Sequence, residues 1–409
     1  LHSLRRRQRQ MCIRDRLKGV TSFYLGIRKS VMKFIHTADL HLDREFEGLV
    51  QETPFQPYRI LEKIIDLAIS EAVEVVLFAG DNFHQSQPSI KIQNYFIEQL
   101  TRLQVYDIQA VIIFGNHDYY RESVYWIDFP DNVTVFKSES VSTQKLTLKT
   151  GETLAVSGFS YQHPHLSVNK IVDYPEKDVT CDYHIGLFHG EFSGQSFAPA
   201  NLTDMLAKDY NYWALGHIHL ANQVADTVIY PGTPQGRNKK ETTNLVVLGE
   251  MAPTGNLIYF RDLAEVHFET LTIDLSDCQT LVQALTFIKS NLIDMTTFYS
   301  LNLENYEAIA DNLQEAVGND ELLEELRQSH VIVKLKLIPL SSETGELTKI
   351  VVPDFTLPDI DLEQVYSLLP HKQEIRAVFE NADFQQEVQE NLALFASQHF
   401  EFGGTLDEN

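Results

Sequence analysis

Ala110-Val111-Ile112-Ile113-Phe114-Gly115-Asn116-His117-Asp118 decides how the rest of the chain is read. Five apolar residues, three of them β-branched, form a run too short for a helix and stopped by glycine, which reads as a buried strand. An amide, an imidazole and a carboxylate then crowd its carboxyl end, the edge of an open α/β sheet where ligands bind. Alone, the stretch is equally well a polar turn after a core strand.

Working outward, two earlier segments repeat the design. Lys33 to Asp39 reads as a first strand that delivers Asp39 and His41. Two residues apart in extended chain, both side chains are expected on one face. Val73 to Ala79 reads as a second strand, ending in Gly80-Asp81-Asn82-Phe83-His84. Between the strands, Pro57 to Ser70 and Ser89 to Leu103 carry apolar residues at helical spacing. Strands alternating with helices imply parallel pairing and right-handed crossovers, so all three strand ends share one edge. His36, inside the first strand, is expected in the core.

Downstream the pattern shifts to short β runs at Val133–Phe136, Leu146–Lys149 and Leu154–Ser157. Asp182 to Phe188 ends in His189-Gly190, and Tyr212 to Leu215 ends in Gly216-His217-Ile218-His219, whose histidines alternate. Val228–Tyr230, Leu245–Leu248 and Leu257–Phe260 complete a second group. The pattern predicts an α/β protein, a two-sheet sandwich flanked by helices. His163 and His165 are expected on the surface.

Five strand ends thus supply Asp39, His41, Asp81, Asn116, His189, His217 and His219. Two carboxylates, one amide and four imidazoles suit two adjacent divalent ions with mixed N/O ligands. Such a pair activates water and stabilises both the attacking and the leaving oxygen in a displacement at phosphorus.

Composition limits the alternatives. Net charge is −24, yet residues 1–33 hold ten Lys/Arg against one Asp, leaving −33 on the remainder. An acidic body argues against a generic nucleic-acid coat, so any nucleic acid must be held at a local site, by ions or by a partner. The three cysteines, Cys12, Cys181 and Cys278, share no ligand spacing, which fits a reducing, cytoplasmic setting. No apolar run has the roughly 18–20 residues that cross a bilayer. The basic start reads as a segment outside the natural product, ending before Met32, and residues 1–31 are set aside.

As a set, Asp39-x-His41, Gly80-Asp81, Gly115-Asn116-His117-Asp118, His189 and Gly216-His217-x-His219 closely resemble the calcineurin-like metallophosphoesterase superfamily over residues 32–235. The resemblance implies one ion on Asp39, His41, Asp81 and His219, and a second on Asp81, Asn116, His189 and His217. It makes His117 a catalytic residue facing the scissile phosphate and Asp118 a supporting one. Mn is the expected metal, with Fe or Zn as alternatives. The DNA repair exonuclease branch is indicated by four features. These are His84, implied to place the DNA phosphate; the opening Phe34 to Leu42; the stretch Tyr230 to Arg237, whose Arg237 is expected to bind substrate; and the C-terminal extension. The basic Asn238-Lys239-Lys240 is either a phosphate contact or a solvated turn.

The expected organisation is a metallophosphoesterase domain at 32–264, a small α+β module at 265–340, a linker at 341–354 and a helical tail at 355–409. In the module, a helix capped by Ser276 or Asp277 runs to Leu292, another covers Asp320–Arg327, and strands cover Val266–Asp274, Phe298–Leu303 and Val331–Ile338. By resemblance the module is a capping domain beside DNA, and a homodimer is also implied; the tail, by its helical spacing, either docks on a coiled-coil, SMC-like ATPase or packs against the capping domain. The leading expectation is a two-metal DNA exonuclease or end-processing nuclease. The alternative is a phosphatase or small-molecule phosphodiesterase on the same scaffold, and a non-catalytic scaffold is disfavoured because no member of the set is missing.

Overall fold

The computed structural model describes residues 31–123, 128–252, 255–338, 350–353 and 400–403. The chain divides into two compact units at Ile338/Pro339.

In the first unit, two six-stranded sheets face each other. The first has the order β12-β11-β1-β2-β3-β4, with β1 Met32–Thr37, β2 Val75–Ala79, β3 Gln109–Ile113, β4 Val133–Val135, β11 Leu245–Ala252 and β12 Gly255–Asp262. Strands β1 to β4 are parallel, and β11 adds antiparallel to β1. The second has the order β5-β6-β7-β8-β10-β9, with β5 Ser142–Thr147, β6 Thr153–Gly158, β7 Tyr183–His189, β8 Tyr212–Gly216, β9 Asn222–Ala225 and β10 Val228–Tyr230. Here β6, β7, β8 and β10 run parallel.

Side-chain alternation builds three layers of core. Phe34, Val75, Leu77, Val111 and Ile113 meet Leu154, Val156, Ile185, Leu187 and Ile229 between the sheets. The opposite face of the first sheet, through Ile35, Val76, Phe78, Ala110 and Ile112, packs on helices α1 (Ile60–Ser70) and α2 (Ile90–Gln104). In α1, Ile60, Leu61, Ile64, Ile65 and Ala68 are all at most 1% exposed. Each branched aliphatic there contributes roughly 1.5–3 kcal/mol, an upper figure because unfolded chains already bury some surface. Ser89 caps α2 by accepting from the Ile92 N–H at 3.4 Å. The outer face of the second sheet buries Tyr174, Phe188, Trp213 and Tyr230, beside the short helix α3 (Leu202–Ala207).

His36 points between the sheets and is fully buried. Its Nδ1 lies 3.0 Å from the Tyr212 hydroxyl and its Nε2 3.0 Å from the Leu215 carbonyl, so it is a core histidine.

A third sheet, all parallel, joins β13 (His267–Asp274), β14 (Thr297–Glu304) and β15 (Val331–Leu337), covered by α4 (Leu281–Asn291), α5 (Ala310–Gly318) and α6 (Glu321–Arg327). Helix α4 starts later than the sequence suggested. Asp274 turns the chain by accepting from the Ser276 N–H, Leu275 and Cys278 enter the core, and Thr280 is the cap. Helix α5 is not among the expected elements, although Leu313, Ala316 and Val317 stand at helical spacing and pack into this core.

In the second unit, Ile350–Pro353, expected to be linker, is a strand (β16) paired parallel with Phe400–Gly403 (β17), at the end of the expected helical tail. The tail helices themselves, and the basic segment 1–30, lie outside the described residues.

Candidate metal centre

The parallel ladders bring five strand ends to one edge of the sandwich. Beyond β1 and β2 the pairing continues through Asp39 N–H to Gly80 O, His41 N–H to Asp81 O and Leu42 N–H to Asn82 O, each 3.0 Å. Asp39 and His41 are therefore held beside Asp81 by backbone bonds.

Alternation in extended chain is not what aims them. Strand β1 stops at Thr37, and Asp39 and His41 both adopt left-handed backbone, with φ of +53° and +42°. Asp81 (+52°) and His217 (+102°) do the same, and β8 ends at Gly216, so the His217/His219 alternation is also not a strand property. Such conformations cost about 1–3 kcal/mol each and cluster where function requires them. The sequence pattern found these residues while mistaking the geometry that presents them.

All seven side chains are brought together. Asp39, His41 and His219 offer donor atoms within 4.8 Å of one another, as do Asp39, Asp81 and His189. The Nε2 atoms of His41 and His219 are 3.2 Å apart, and His41 Nε2 is 3.8 Å from Asp81 Oδ2. Asn116 Oδ1 lies 3.1 Å from both His189 Nε2 and His217 Nδ1, and His189 Nε2 is 3.4 Å from Asp81 Oδ1. Backbone N–H groups steady the carboxylates: His117 donates to Asp81 at 3.0 Å and His217 to both oxygens of Asp39 at 3.1 Å.

The donor set fits cations. His189 Nδ1 lies 2.8 Å from the Ala79 carbonyl and His219 Nδ1 2.9 Å from Glu241 Oε1, so each donates through Nδ1. Their Nε2 lone pairs then face carboxylate and imidazole acceptors, a repulsive arrangement unless positive charge lies between. Separations of 3.1–3.8 Å accommodate an ion bonded at about 2.0–2.2 Å to each donor. With no ion bound there, a proton drawn by the carboxylates takes that place on His189. Burial opposes charge on His189, yet Asp81 and Asp39 hold its pKa up at about 9. Burial pushes the Asp39 carboxyl up to about 6 against the pull of His219 and His189. Burial would also raise Asp81, but His189, His41 and His117 hold it far below the usual range.

Glycine is required at the centre. A Cβ on Gly115 would run into Asp81 Oδ1 and the His189 ring, and Gly80, at φ +91°, would press one against the same ring.

On the open side of the cluster, the partly exposed His117 stacks on His84, with ring centroids 4.8 Å apart at 23°; the His41 ring lies perpendicular to His117, with centroids 5.0 Å apart. Asp118 is fully buried. It accepts from Gly115 N–H at 2.7 Å and Asn82 N–H at 2.8 Å, tying the second and third strand ends together. Burial and the neighbouring Asp81 push its pKa up, and the Gly115 N–H and the Asn82 side-chain amide pull it back.

Arg237, expected to bind substrate, is turned inward instead. It is 1% exposed, and its guanidinium donates to the carbonyls of Arg44, Leu40, His41 and Gln235. Its fork is spent bracing the loop that carries His41. Asn238, Lys239 and Lys240 form an exposed turn, with Asn238 Oδ1 accepting from Lys240 N–H at 2.9 Å. His163 and His165 are exposed.

Glu241 and Phe197 are among the contributors that escaped the sequence reading. Glu241, buried, accepts from His219 Nδ1 and from Arg44 at 3.2 Å, fixing the ring that ends the motif. Phe197 lies against the His217 ring at 4.7 Å. Neither has a spacing signal, because the fold supplies the contact from a distant loop.

The calcineurin-like phosphoesterase model matches residues 32–221. The uncharacterized metallophosphoesterase YhaO of Bacillus subtilis is 32% identical over 277 residues, covering 63% of this chain and 67% of YhaO. The DNA double-strand break repair protein Mre11 of Sulfolobus acidocaldarius is 22% identical over 71% of this chain and 72% of its own length. Its counterpart in Saccharolobus solfataricus is 24% identical over 54% and 59%. Both the strand-end cluster and these relatives lead to one conclusion: the chain belongs to the calcineurin-like phosphoesterases, metal-dependent phosphoester hydrolases that use a pair of divalent ions.

Proposed function

We propose that the protein is a two-metal phosphodiesterase acting on DNA, an exonuclease or end-processing nuclease. The observation that carries this is the His84–His117 stack on the accessible side of the carboxylate–imidazole cluster. The similarity to Mre11 proteins supports DNA as the substrate.

Asp39, His41, Asp81 and His219 would hold one ion and Asp81, Asn116, His189 and His217 the other, with Mn the favoured metal and Fe or Zn the alternatives. Divalent ions bound there acidify water and neutralise phosphoryl oxygens. His117, anchored through its N–H to Asp81, stabilises charge building on the phosphoryl group and protonates the leaving oxygen. His84, stacked on it, places the phosphate. Glu241 and the Ala79 carbonyl hold His219 and His189 in the tautomers that leave Nε2 free for a cation.

The test is Mn-dependent degradation of linear DNA by the full chain, beside His117→Ala and a small chromogenic phosphodiester. Loss of DNA cleavage in the variant supports the reading. Cleavage of the small diester alone favours the phosphatase-like alternative, which the net charge of −24 already recommends. We further propose that residues 355–409 dock on a coiled-coil ATPase; a chain truncated at 354 that still captures such a partner would refute this.

Among the described residues, no helix is long and apolar enough to cross a membrane.

A further inference from the structure

His84 is presented by a loop with no secondary structure of its own, so its backbone partners decide where the ring sits. Asn82 and Phe83 donate their N–H groups to Asp118 Oδ2 at 2.8 and 3.3 Å. His84 and Gln85 donate theirs to the two oxygens of Asp43, the second at 3.1 Å. Four consecutive N–H groups thus end on two carboxylates, one from the loop after β1 and one from the loop after β3. On the far side, Arg121 Nη2 donates to the Ser86 carbonyl at 3.2 Å and its hydroxyl at 3.1 Å.

The imidazole of His84 has no comparable tether. Its Nδ1 is buried without a hydrogen-bond partner, and the ring rests on His117 and against the edge of His41 at 5.2 Å. Stacking of this kind is worth only about 0.5–1.5 kcal/mol and tolerates sliding. Charge-assisted N–H bonds to a carboxylate are shorter and roughly twice as strong as neutral ones. Asp43 also begins where the backbone ladder between the two ligand loops ends, at Leu42 N–H to Asn82 O.

We propose that Asp43, with Arg121 holding the far side of the same loop at Ser86, is a positioning residue that sets His84 against His117. Its role in turnover rests on the reading that these two histidines work on the phosphate. Asp43 touches neither substrate nor the proposed ligand atoms; it acts through the His84 backbone.

Amide hydrogen exchange on the metal-free full chain reads the clamp without substrate. Asp43→Ala should speed exchange of the His84 and Gln85 amides by about tenfold or more, with β1, β2 and β3 still protected. Asp43→Asn, which keeps one acceptor oxygen, should restore part of the protection and rules out simple misfolding. Turnover is then followed on whichever phosphodiester the wild type cleaves. Asp43→Ala should lower kcat/KM about tenfold, and Arg121→Gln by less. In a His84→Ala background Asp43→Ala should cost nothing more, because the two act as a unit. Unchanged exchange at His84 and Gln85, or a penalty that adds to that of His84→Ala, overturns the proposal. Cleavage of only the small diester with clamp and non-additivity intact would remove DNA as the substrate and leave the clamp standing.

Discussion

His36 and His189 are both 0% exposed, yet they treat a proton in opposite ways. His36 sits between the sheets, among Phe34, Tyr212 and the Leu215 carbonyl. Burial there holds its pKa down at about 3. His189 sits one layer higher, at the sandwich edge, where Asp81 and Asp39 outweigh the same burial and hold it at about 9. The inter-sheet layer excludes charge, whereas the edge above it sets carboxylates beside His189. What separates the regions is the short stretch at the ends of β1 and β2, left-handed at Asp39, His41 and Asp81, which replaces apolar neighbours with carboxylates.

The most damaging way to break that contrast is to fill the edge. Gly115→Ala would push a methyl into Asp81 and His189, and it should abolish binding of both ions, read as metal content after dialysis. Retention of two equivalents would show that the edge is not packed as described. Removing ions comes next. If ligands bind only the folded state, Mn at 100 times Kd should add about 2.7 kcal/mol of stability and chelator should remove it. Asp81→Asn should show no Mn-dependent rise in Tm, because it neutralises the carboxylate that faces both His41 and His189.

These predictions depend on residues that the sequence largely named. Asp39, His41, Asp81, Asn116, His189, His217 and His219 were legible because strand patterning locates the carboxyl ends and polar ligand types stand out there. The left-handed backbone of Asp39, His41, Asp81 and His217 was not legible, since Asp and His carry no signal for φ > 0 as strong as glycine's. Asp43, Glu241 and Arg237 were hidden for a different reason. Their partners lie 41, 22 and as much as 197 residues away, so only the assembled fold reveals that Asp43 braces one loop and Arg237 another. The strand Ile350–Pro353 was concealed by proline and by a polar approach that reads as a connector.

Acid should expose the inter-sheet layer. The folded-state pKa of His36, about 3, lies below its ordinary 6.5, so the unfolded chain binds more protons between these values. Stability contributed by neutral His36 is present above pH 6.5 and is lost as pH falls toward 3. In chelator, denaturant melts from pH 7 to 5 should lose on the order of 2 kcal/mol to this group, and His36→Gln should flatten that slope. An unchanged slope would mean that other groups carry the acid sensitivity.

The smallest effect is expected far from the edge. Thr280 accepts from Gln283 N–H at 3.2 Å to cap α4, and Thr280→Ala should cost about 1 kcal/mol while leaving metal content and turnover unchanged. Altered metal binding would show that the third sheet is coupled to the edge.

Mn bound per chain, measured with turnover on linear DNA in the wild type and in His117→Ala, is the decisive measurement. Two equivalents in both proteins, with turnover in the wild type alone, is the expected result. One equivalent or none in the wild type, or loss of ions on removing His117, would contradict a two-metal edge with His117 standing outside it.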